Sequence, residues 1–286
     1  MSDVSVIGTG AMGSALVEAL AASGADVMAW NRTEHKAEAL SGPNVKVAAS
    51  ASEALDASSL AILTVSDHEQ ARALVASSDV DLDGTVVASA SFVTPDQAGD
   101  FEQVVSAAGG EYLDLAIPAY PSQVRSEAGV FLVSGSRCAY EAHRDRFERI
   151  GQISYVDGTP GAAFACEMAV LLAYLPMAVG LLQGRRICEM HGLSVDWFND
   201  TVMELYPDQI RSLLDRASHE PDASQNDVEA SINVWGAGAA EYAEYLRELG
   251  IDTGMYDALT RLFAAASDAG DGESDWTCIA QHAATD

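Results

Sequence analysis

V-I-G-T-G-A-M-G, residues 6–13, decides the fold of this 286-residue chain. It follows an apolar run, residues 3–7, that predicts a first β-strand, and it opens a helical pattern that continues to about Ser23. Glycines in this pattern between a strand and a helix are typical of a dinucleotide-binding turn. The start of the chain therefore predicts an α/β domain that binds a dinucleotide.

Each glycine of this turn has a separate expected role. Gly8 permits the tight turn, Gly10 lets the backbone approach a pyrophosphate, and Gly13 lets the helix pack closely on the strand. The phosphates would lie at the helix N-terminus, where free amides and the helix dipole favour negative charge. The residues of the turn predicted to contact the cofactor are Gly8, Thr9, Gly10, Ala11, Met12 and Gly13.

The end of the second predicted strand, residues 26–30, indicates which dinucleotide binds. An NAD site usually has Asp or Glu here to bond the ribose 2′-hydroxyl, whereas this chain has Asn31. A neutral amide does not repel a 2′-phosphate, and Arg32 can grip that phosphate in a fork, with further donors from Thr33 and Lys36. The alternative is that Arg32 and Lys36 are ordinary solvated charges. The pattern favours NADPH as the cofactor.

Further apolar runs alternate with helical patterns through the first half of the chain, which predicts a parallel sheet with right-handed crossovers. The further predicted strands are residues 60–65, 85–90, 112–117, 129–134 and 153–155. We predict an N-terminal Rossmann domain over residues 1–158. Three residues at the end of one run are also predicted to contact the cofactor: Thr64, Val65 and Ser66.

The character of the sequence changes after this domain. Thr159 and Pro160 have the pattern of a helix N-cap followed by proline at the first helical position. Residues 162–182 are almost wholly apolar, with Glu167 as their only charge. We predict a long core helix over residues 159–189 and an all-helical substrate and dimerisation domain over residues 190–286. A membrane span is the alternative for the helix, but the central Glu and Pro176 oppose it.

Composition excludes several functions. The formal net charge of −28 and a pI near 4.2 predict a surface that repels nucleic acids and anionic membranes. The N-terminus lacks the basic start and long apolar run of a signal peptide, so we expect a cytoplasmic protein. The four cysteines and six histidines have no metal-ligand spacing, so we expect no metal site.

Several motifs together resemble the imine reductase and reductive aminase family, a branch of the β-hydroxyacid dehydrogenase-like reductases. Besides the glycine turn and W-N-R-T at residues 30–33, the resemblance is carried by S-F-V-T-P-D-Q-A at 91–98, A-I-P-A-Y-P-S-Q at 116–123, S-G-S-R at 134–137 and G-A-A-F-A-C-E-M-A-V-L-L at 161–172. The resemblance covers nearly the whole chain. It implies hydride transfer from NADPH to the carbon of a C=N bond, a long interdomain helix and a domain-swapped homodimer.

The resemblance also locates the residue that handles the proton. In imine reductases this residue is usually Asp and sometimes Tyr, and the motif places it at Glu167; hydroxyacid dehydrogenases have lysine there. This chain has no lysine after Lys46. Reducing an imine requires a hydride at carbon and a proton at nitrogen, and a carboxyl group stabilises the iminium cation or protonates the nitrogen. A purely structural buried carboxyl is the alternative for Glu167.

Burial in an apolar helix should raise the pKa of Glu167 towards neutrality. Tyr174 lies seven residues on, on the same helix face, and is the second predicted catalytic residue, by orienting the substrate or relaying a proton. A core aromatic is the alternative for Tyr174. Ser89 stands where many relatives carry Asn near the nicotinamide, so it is also predicted to contact the cofactor.

The substrate pocket is predicted from the strand ends, from the long helix and from the resemblance. Tyr120 and Ser122 follow a strand end, where ligands bind in such folds; simple loop roles are their alternative. Trp235 resembles a pocket wall contributed by the partner chain, with a core aromatic as its alternative. The predicted pocket residues are Ser91, Tyr120, Ser122, Leu171 and Trp235.

The leading hypothesis is an NADPH-dependent imine reductase that acts on small imines or on carbonyl and amine substrates. The first alternative is a β-hydroxyacid or carbonyl reductase with an atypical acid. The second is a protein that senses NADPH without turnover. A buried acid beside the nicotinamide disfavours the sensor, which needs none.

Overall fold

A computed structural model describes residues 2–77, 80–217 and 228–282. The chain divides into two units, one ending at Ala173 and the other beginning at Tyr174. The strands are β1 Val4–Ile7, β2 Val27–Trp30, β3 Val45–Val47, β4 Leu60–Leu63, β5 Val86–Ser89, β6 Glu111–Ala116, β7 Val130–Gly135 and β8 Gln152–Tyr155. The first six helices are α1 Ala11–Ala22, α2 Glu34–Glu38, α3 Ala51–Asp56, α4 His68–Ala76, α5 Pro95–Ala107 and α6 Arg137–Phe147. The last four are α7 Ala162–Met190, α8 Val195–Ala217, α9 Ile232–Glu248 and α10 Gly254–Ala266.

The strands form one sheet in the order β3-β2-β1-β4-β5-β6-β7-β8. The predicted α/β class is confirmed, and β1 to β6 are parallel. The expectation of a wholly parallel sheet is wrong at β7, which runs antiparallel to β6. The reason is the β6–β7 connection, which contains only a short 3₁₀ turn at Pro121–Gln123 and no crossover helix. Strand β3 was not predicted, because its three residues are too few to produce a periodic signal.

Helices cover both faces of the sheet, so the central strands are buried on both sides; all four residues of β4 are buried. Helices α1 and α6 pack on one face around Phe131 and Phe147. Helices α3, α4 and α5 pack on the other face, around Phe101 and Tyr112. The first turn of α7 joins this second cluster through Ala163 and Phe164, which fixes the helix that carries Glu167 onto the sheet.

The predicted start of the long helix is wrong. Gly161 has a φ of +92°, which lies outside the helical region, so the helix begins only at Ala162. Thr159 and Pro160 instead form a turn in which the Ala162 N–H donates to the Thr159 carbonyl at 3.1 Å. From Ala162 the helix continues through Pro176 to Met190. The helix is long and apolar enough to cross a membrane, a property that core helices of folded proteins share.

Among its described residues, the second unit has helices joined by turns and one isolated β-bridge between Ser231 and Asp275. Helices α9 and α10 pack together around a small core that contains Ile232, Ala239, Phe263 and Ala266. Gly236 of α9 allows this approach, because a Cβ there would lie 3.0 Å from the Phe263 side chain. The prediction that the C-terminal region is helical is thus confirmed. The exact domain boundaries stay a prediction.

Candidate active site

A cleft of about 520 Å³ opens at the carboxyl ends of β1, β2 and β4. The strand order reverses between β1 and β4, which is where ligands bind in open α/β sheets. Most of the predicted cofactor residues line this cleft, namely Gly8, Gly10, Ala11, Met12, Asn31, Arg32, Thr33, Lys36, Thr64, Val65 and Ser66. The structure therefore brings three separate sequence segments to one site.

The glycine turn shows why each glycine is needed. Gly8 has a φ of +104°, and a Cβ there would lie 2.8 Å from the Thr64 carbonyl oxygen. A Cβ at Gly13 would lie 1.8 Å from the Gly8 carbonyl oxygen, so only glycine lets α1 start this close to the turn. At Gly10, by contrast, a Cβ would meet no protein atom within 4 Å. No described protein atom therefore requires glycine at position 10, and close approach of a pyrophosphate stays the predicted reason for it.

Asn31 connects two sides of the cleft. Its Oδ1 accepts the Thr9 N–H at 3.0 Å, and its Nδ2 donates to the Thr33 carbonyl at 3.0 Å. The side chain is thus satisfied on both ends and carries no charge. The Asn31 side chain therefore holds the glycine turn against the loop that contains Arg32. Because it is an amide, it also adds no negative charge to the site.

Two cations lie along this loop. Arg32 and Lys36 are exposed and line the cleft. Across residues 2–77, 80–217 and 228–282, neither forms an ion pair with a carboxylate. In a chain of net charge −28, two unpaired cations at the rim of a cleft suit an anionic ligand group.

The far wall of the cleft was missed from the sequence. It is formed by Trp30 and by residues on and just after α4: Gln70, Ala73, Leu74 and Ser77. The available signal was the helical pattern that directly follows Ser66, since a helix that begins at a cofactor-binding strand end must flank the ligand. An apolar wall of this kind suits the flat face of a base.

Three predicted cofactor residues do not line the cleft. Thr9 is buried and contributes its backbone N–H to Asn31. Gly13 lies behind the turn against the Gly8 carbonyl. Ser89 is fully buried at the end of β5, in register with Asp114 of β6. Their direct contact with a cofactor stays a prediction.

Glu167 lies in the second turn of α7 and is only 8% exposed. Burial raises the pKa of its carboxyl, the negative charge of Asp114 raises it further, and the Ile117 backbone acts in the opposite direction. Ile117 directly follows β6, so Glu167 lies at the carboxyl edge of the sheet, the edge that also forms the cleft. The predicted direction of its pKa shift is thus confirmed, and its role in acid–base chemistry stays a prediction.

The predicted pocket residues differ in exposure. Ser91 is buried and its hydroxyl donates to the Val65 carbonyl at 3.2 Å, which ties the β5 loop to the cleft. Tyr120 is 60% exposed, and Ser122 is exposed beside it in the same loop. Leu171 is half-buried on α7.

The second unit carries two further predicted residues, Tyr174 and Trp235. Tyr174 is 41% exposed on α7. Trp235 on α9 is 44% exposed, and its ring centroid lies 5.1 Å from that of Trp276. Their roles at the active site stay predictions.

Family models match both parts of the chain. Residues 3–161 match the NAD binding domain of 6-phosphogluconate dehydrogenase, and residues 159–285 match the NADPH-dependent reductive aminase-like C-terminal domain. The structure of an imine reductase from Pseudomonas sp. superposes with a TM-score of 0.91 at 28% identity and covers 99% of each chain.

Sequence relatives agree over part of the chain. An NADPH-dependent reductive aminase of Aspergillus oryzae is 26% identical over 63% of this chain and 61% of its own length. The cytokine-like nuclear factor N-PAC of Anopheles gambiae is 25% identical over 65% of this chain. The match spans only 34% of that factor's length.

An open α/β domain with a cleft at its switch point, followed by a helical region, defines a dinucleotide-binding protein with a second domain. The family models and the Pseudomonas structure narrow this class. The chain belongs to the imine reductase and reductive aminase family, within the proteins that share the 6-phosphogluconate dehydrogenase NAD binding domain.

Proposed function

We propose that this chain is an NADPH-dependent reductase that delivers hydride to the carbon of an imine or iminium bond. The observation that carries the proposal is Glu167, a buried carboxyl at the carboxyl edge of the sheet, at the position where hydroxyacid dehydrogenases have lysine. A carboxyl suits a cationic C=N intermediate, and the chain has no lysine after Lys46 that could assist carbonyl reduction.

The cleft has the parts that NADPH requires. Gly8, Gly10 and the N-terminus of α1 would hold the pyrophosphate on backbone amides. Arg32, Thr33 and Lys36 would hold the 2′-phosphate through charged and hydroxyl donors. NADPH would supply the hydride, and the protein would supply orientation and the proton.

Glu167 would supply the proton. Because burial and the charge of Asp114 both raise its pKa, it keeps a proton at higher pH than an exposed glutamate does. A protonated carboxyl donates to the imine nitrogen, and the carboxylate left behind stabilises a neighbouring cation. Tyr174 would orient the substrate or relay this proton.

We also propose a homodimer with shared active sites. Helix α7 exposes a run of large apolar side chains, among them Val170 at 58%, Leu172 at 65%, Leu175 at 59% and Leu182 at 68%. Apolar surface of this extent on one helix requires a cover, and two-fold pairing with the same segment of a second copy provides it on both chains at once. Trp235 of the second copy would then form a wall of the pocket that contains Glu167.

Light scattering at low micromolar concentration tests the dimer. A mass twice that of the 30.0 kDa chain is expected. A stable and active monomer would contradict the pairing. Recovery of the protein only in detergent would instead indicate that α7 inserts into a membrane.

The function itself is tested by following NADPH oxidation with three substrate groups. Cyclic imines and mixtures of a ketone with an amine are expected to be reduced, and 2-keto and β-keto acids are expected to react little. Strong turnover of the keto acids, or oxidation of a β-hydroxyacid with NADP, would favour a hydroxyacid or carbonyl reductase. NADPH binding without turnover of any group would favour the sensor.

A further inference from the structure

Asp114 is a buried carboxylate that the cofactor cleft does not use. It lies in β6 and is fully buried. Its Oδ2 accepts the backbone N–H of Phe164 at 3.0 Å and the hydroxyl of Ser134 at 3.3 Å. The Ser134 Oγ in turn accepts the backbone N–H of Ala163 at 3.0 Å. Two strands of the sheet thus bind the first turn of α7.

These bonds replace an ordinary helix cap. The first N–H groups of a helix have no partner inside the helix and are usually bound by the residue that precedes it. Here Gly161 precedes the helix and has no side chain, so β6 and β7 provide the acceptors instead. The first turn of α7 is consequently held by acceptors on the sheet and not by a side chain of the residue that precedes it.

Glu167 follows Phe164 by three residues, less than one turn, so both lie on the face of α7 that meets the sheet. Phe164 and Glu167 are both buried, whereas Ala165 and Cys166 between them are exposed. A shift of the first turn would therefore move the Glu167 carboxyl relative to the strand ends. Asp114 is thus placed to control where that carboxyl lies.

The charge of Asp114 exceeds what a cap needs. Ser134 already provides a neutral acceptor for one N–H of the same turn, and an uncharged side chain could bind the other. Burying a carboxylate instead costs stability, and hydrogen bonds from the Phe164 and Gly161 backbone and from Ser134 only partly offset that cost. Burial consequently raises the pKa of Asp114 to about 6. A costly charge beside a second buried carboxyl indicates a purpose beyond capping.

The charge of Asp114 has an effect at Glu167, because it raises the pKa of the Glu167 carboxyl. Asp114 is the charged side chain that acts on Glu167 from the sheet, and the Ile117 backbone acts against it. Tyr112 lies two residues before Asp114 in β6, and the pKa of its phenol is raised by burial, by Asp114 and by Glu102 of α5. The phenol therefore stays neutral and does not compensate the carboxylate.

We propose that Asp114 is the positioning residue for Glu167. It fixes the first turn of α7 to the sheet, and its negative charge acts on the Glu167 carboxyl. The proposal rests on the function proposed for Glu167. Above pH 6 Asp114 is charged and favours the protonated form of Glu167, so Glu167 keeps its proton to higher pH than it would without that charge.

The test compares the pH dependence of kcat for one cyclic imine in the wild type and in Asp114→Asn. The variant keeps an acceptor for the Phe164 N–H and loses the charge. We expect the high-pH fall in kcat to move to lower pH, so that kcat at pH 8 drops by roughly 3- to 30-fold, while kcat at pH 6 stays within about twofold. The titration of the imine is the same for each enzyme and cancels in the comparison.

Ser134→Ala is the matched control, because it removes the neutral half of the same cap. It should lower the melting temperature and leave the pH of the fall unchanged. If Asp114→Asn also lowers only the melting temperature, Asp114 is a structural cap and the proposal is overturned. Asp114→Thr, which also offers a neutral acceptor, is the second variant if the asparagine variant does not fold.

Glu167→Ala separates this proposal from the proposed function. If the high-pH fall in kcat persists without Glu167, Glu167 is not the titrating acid, and the proposed function of that residue fails first. If the fall disappears in Glu167→Ala but keeps its position in Asp114→Asn, the positioning role alone fails. A ¹³C NMR titration of glutamate carboxyls, assigned with Glu167→Gln, should show the same downward movement in Asp114→Asn without any turnover.

Discussion

The nucleotide cleft and helix α7 differ in how completely one chain builds them. The cleft is formed wholly within the first unit, from loops at neighbouring strand ends, and its turn is fixed by backbone contacts such as that of Gly13 with the Gly8 carbonyl. Helix α7 buries Glu167 near its start but exposes Leu172 and Leu182 farther along. The lining of the cleft therefore comes from one chain, whereas we propose that a second copy completes the reducing site.

This difference separates binding from turnover. Changes at the cleft should alter cofactor affinity in any assembly state, since all the residues come from one chain. Changes along α7 should alter turnover and assembly and leave cofactor affinity intact.

The largest expected effect is on turnover. Glu167→Ala should lower kcat for a cyclic imine by roughly 10²- to 10⁴-fold, the usual scale for the loss of a general acid. NADPH affinity should not change, because Glu167 does not line the cleft. Steady-state kinetics and fluorescence titration of NADPH measure the two quantities. Glu167→Gln, which preserves shape, controls for packing; full activity in both variants would return Glu167 to a structural role.

The next effect distinguishes two glycines of one turn. Gly13→Ala places a methyl group 1.8 Å from the Gly8 carbonyl oxygen and should destabilise the fold by roughly 3 kcal/mol or more. Gly10→Ala meets no protein atom, so it should keep the wild-type melting temperature and weaken NADPH binding. Thermal melts and NADPH titrations of both variants check this. Equal melting temperatures, or unchanged affinity in Gly10→Ala, would be inconsistent with the roles assigned.

A smaller effect concerns cofactor choice. Arg32→Ala should weaken NADPH binding by roughly 1.5–3 kcal/mol, the scale of a charged hydrogen bond, and leave NADH binding nearly unchanged. Arg72→Ala is the matched control, because Arg72 is an exposed arginine on α4 outside the cleft. A wild type that uses NADH as efficiently as NADPH would disprove the assignment of the 2′-phosphate site.

The smallest effect is a pH dependence of stability. The pKa of Asp114 is about 6 in the folded chain and 3.8 without burial, so between these values the folded state holds a proton that the unfolded state has lost. Wild-type stability therefore falls as pH rises towards 6. Asp114→Asn lacks this titration. From pH 5 to pH 8 its free energy of unfolding should therefore rise by about 1.4 kcal/mol relative to that of the wild type. Urea unfolding at several pH values measures the gain. Asp100→Asn, an exposed change on α5, should show none.

Sequence patterns predicted the first unit well because its signals are local. The glycine turn, the apolar strands and W-N-R-T each lie within a few residues, and the cleft brings them together as expected. The same locality explains the errors. Thr159 and Pro160 have the pattern of a cap, but the backbone of Gly161 ends that turn before the helix begins. The direction of β7 depends on the path of a loop, which no periodicity encodes.

Asp114 was missed because its role depends on tertiary contacts. In the sequence it is a single carboxylate inside an apolar strand, and its partners Ser134 and Phe164 lie 20 and 50 residues away. A charge in the middle of a buried strand was the one available signal. The apolar character of α7 was predicted, but how much of it stays exposed depends on tertiary packing, which local sequence patterns do not specify.

Mixing two impaired variants tests the central claim most directly, that the dinucleotide site belongs to one chain and the reducing site to two. Glu167→Ala and Trp235→Ala chains are refolded together in equal amounts, and heterodimers are verified by native mass spectrometry. Half of the dimers are then mixed, and each of these has one site with both wild-type residues, so about a quarter of the wild-type turnover should return, with NADPH affinity unchanged. Turnover no higher than the mean of the two separate variants, with heterodimers present, would show that each reducing site is built from a single chain.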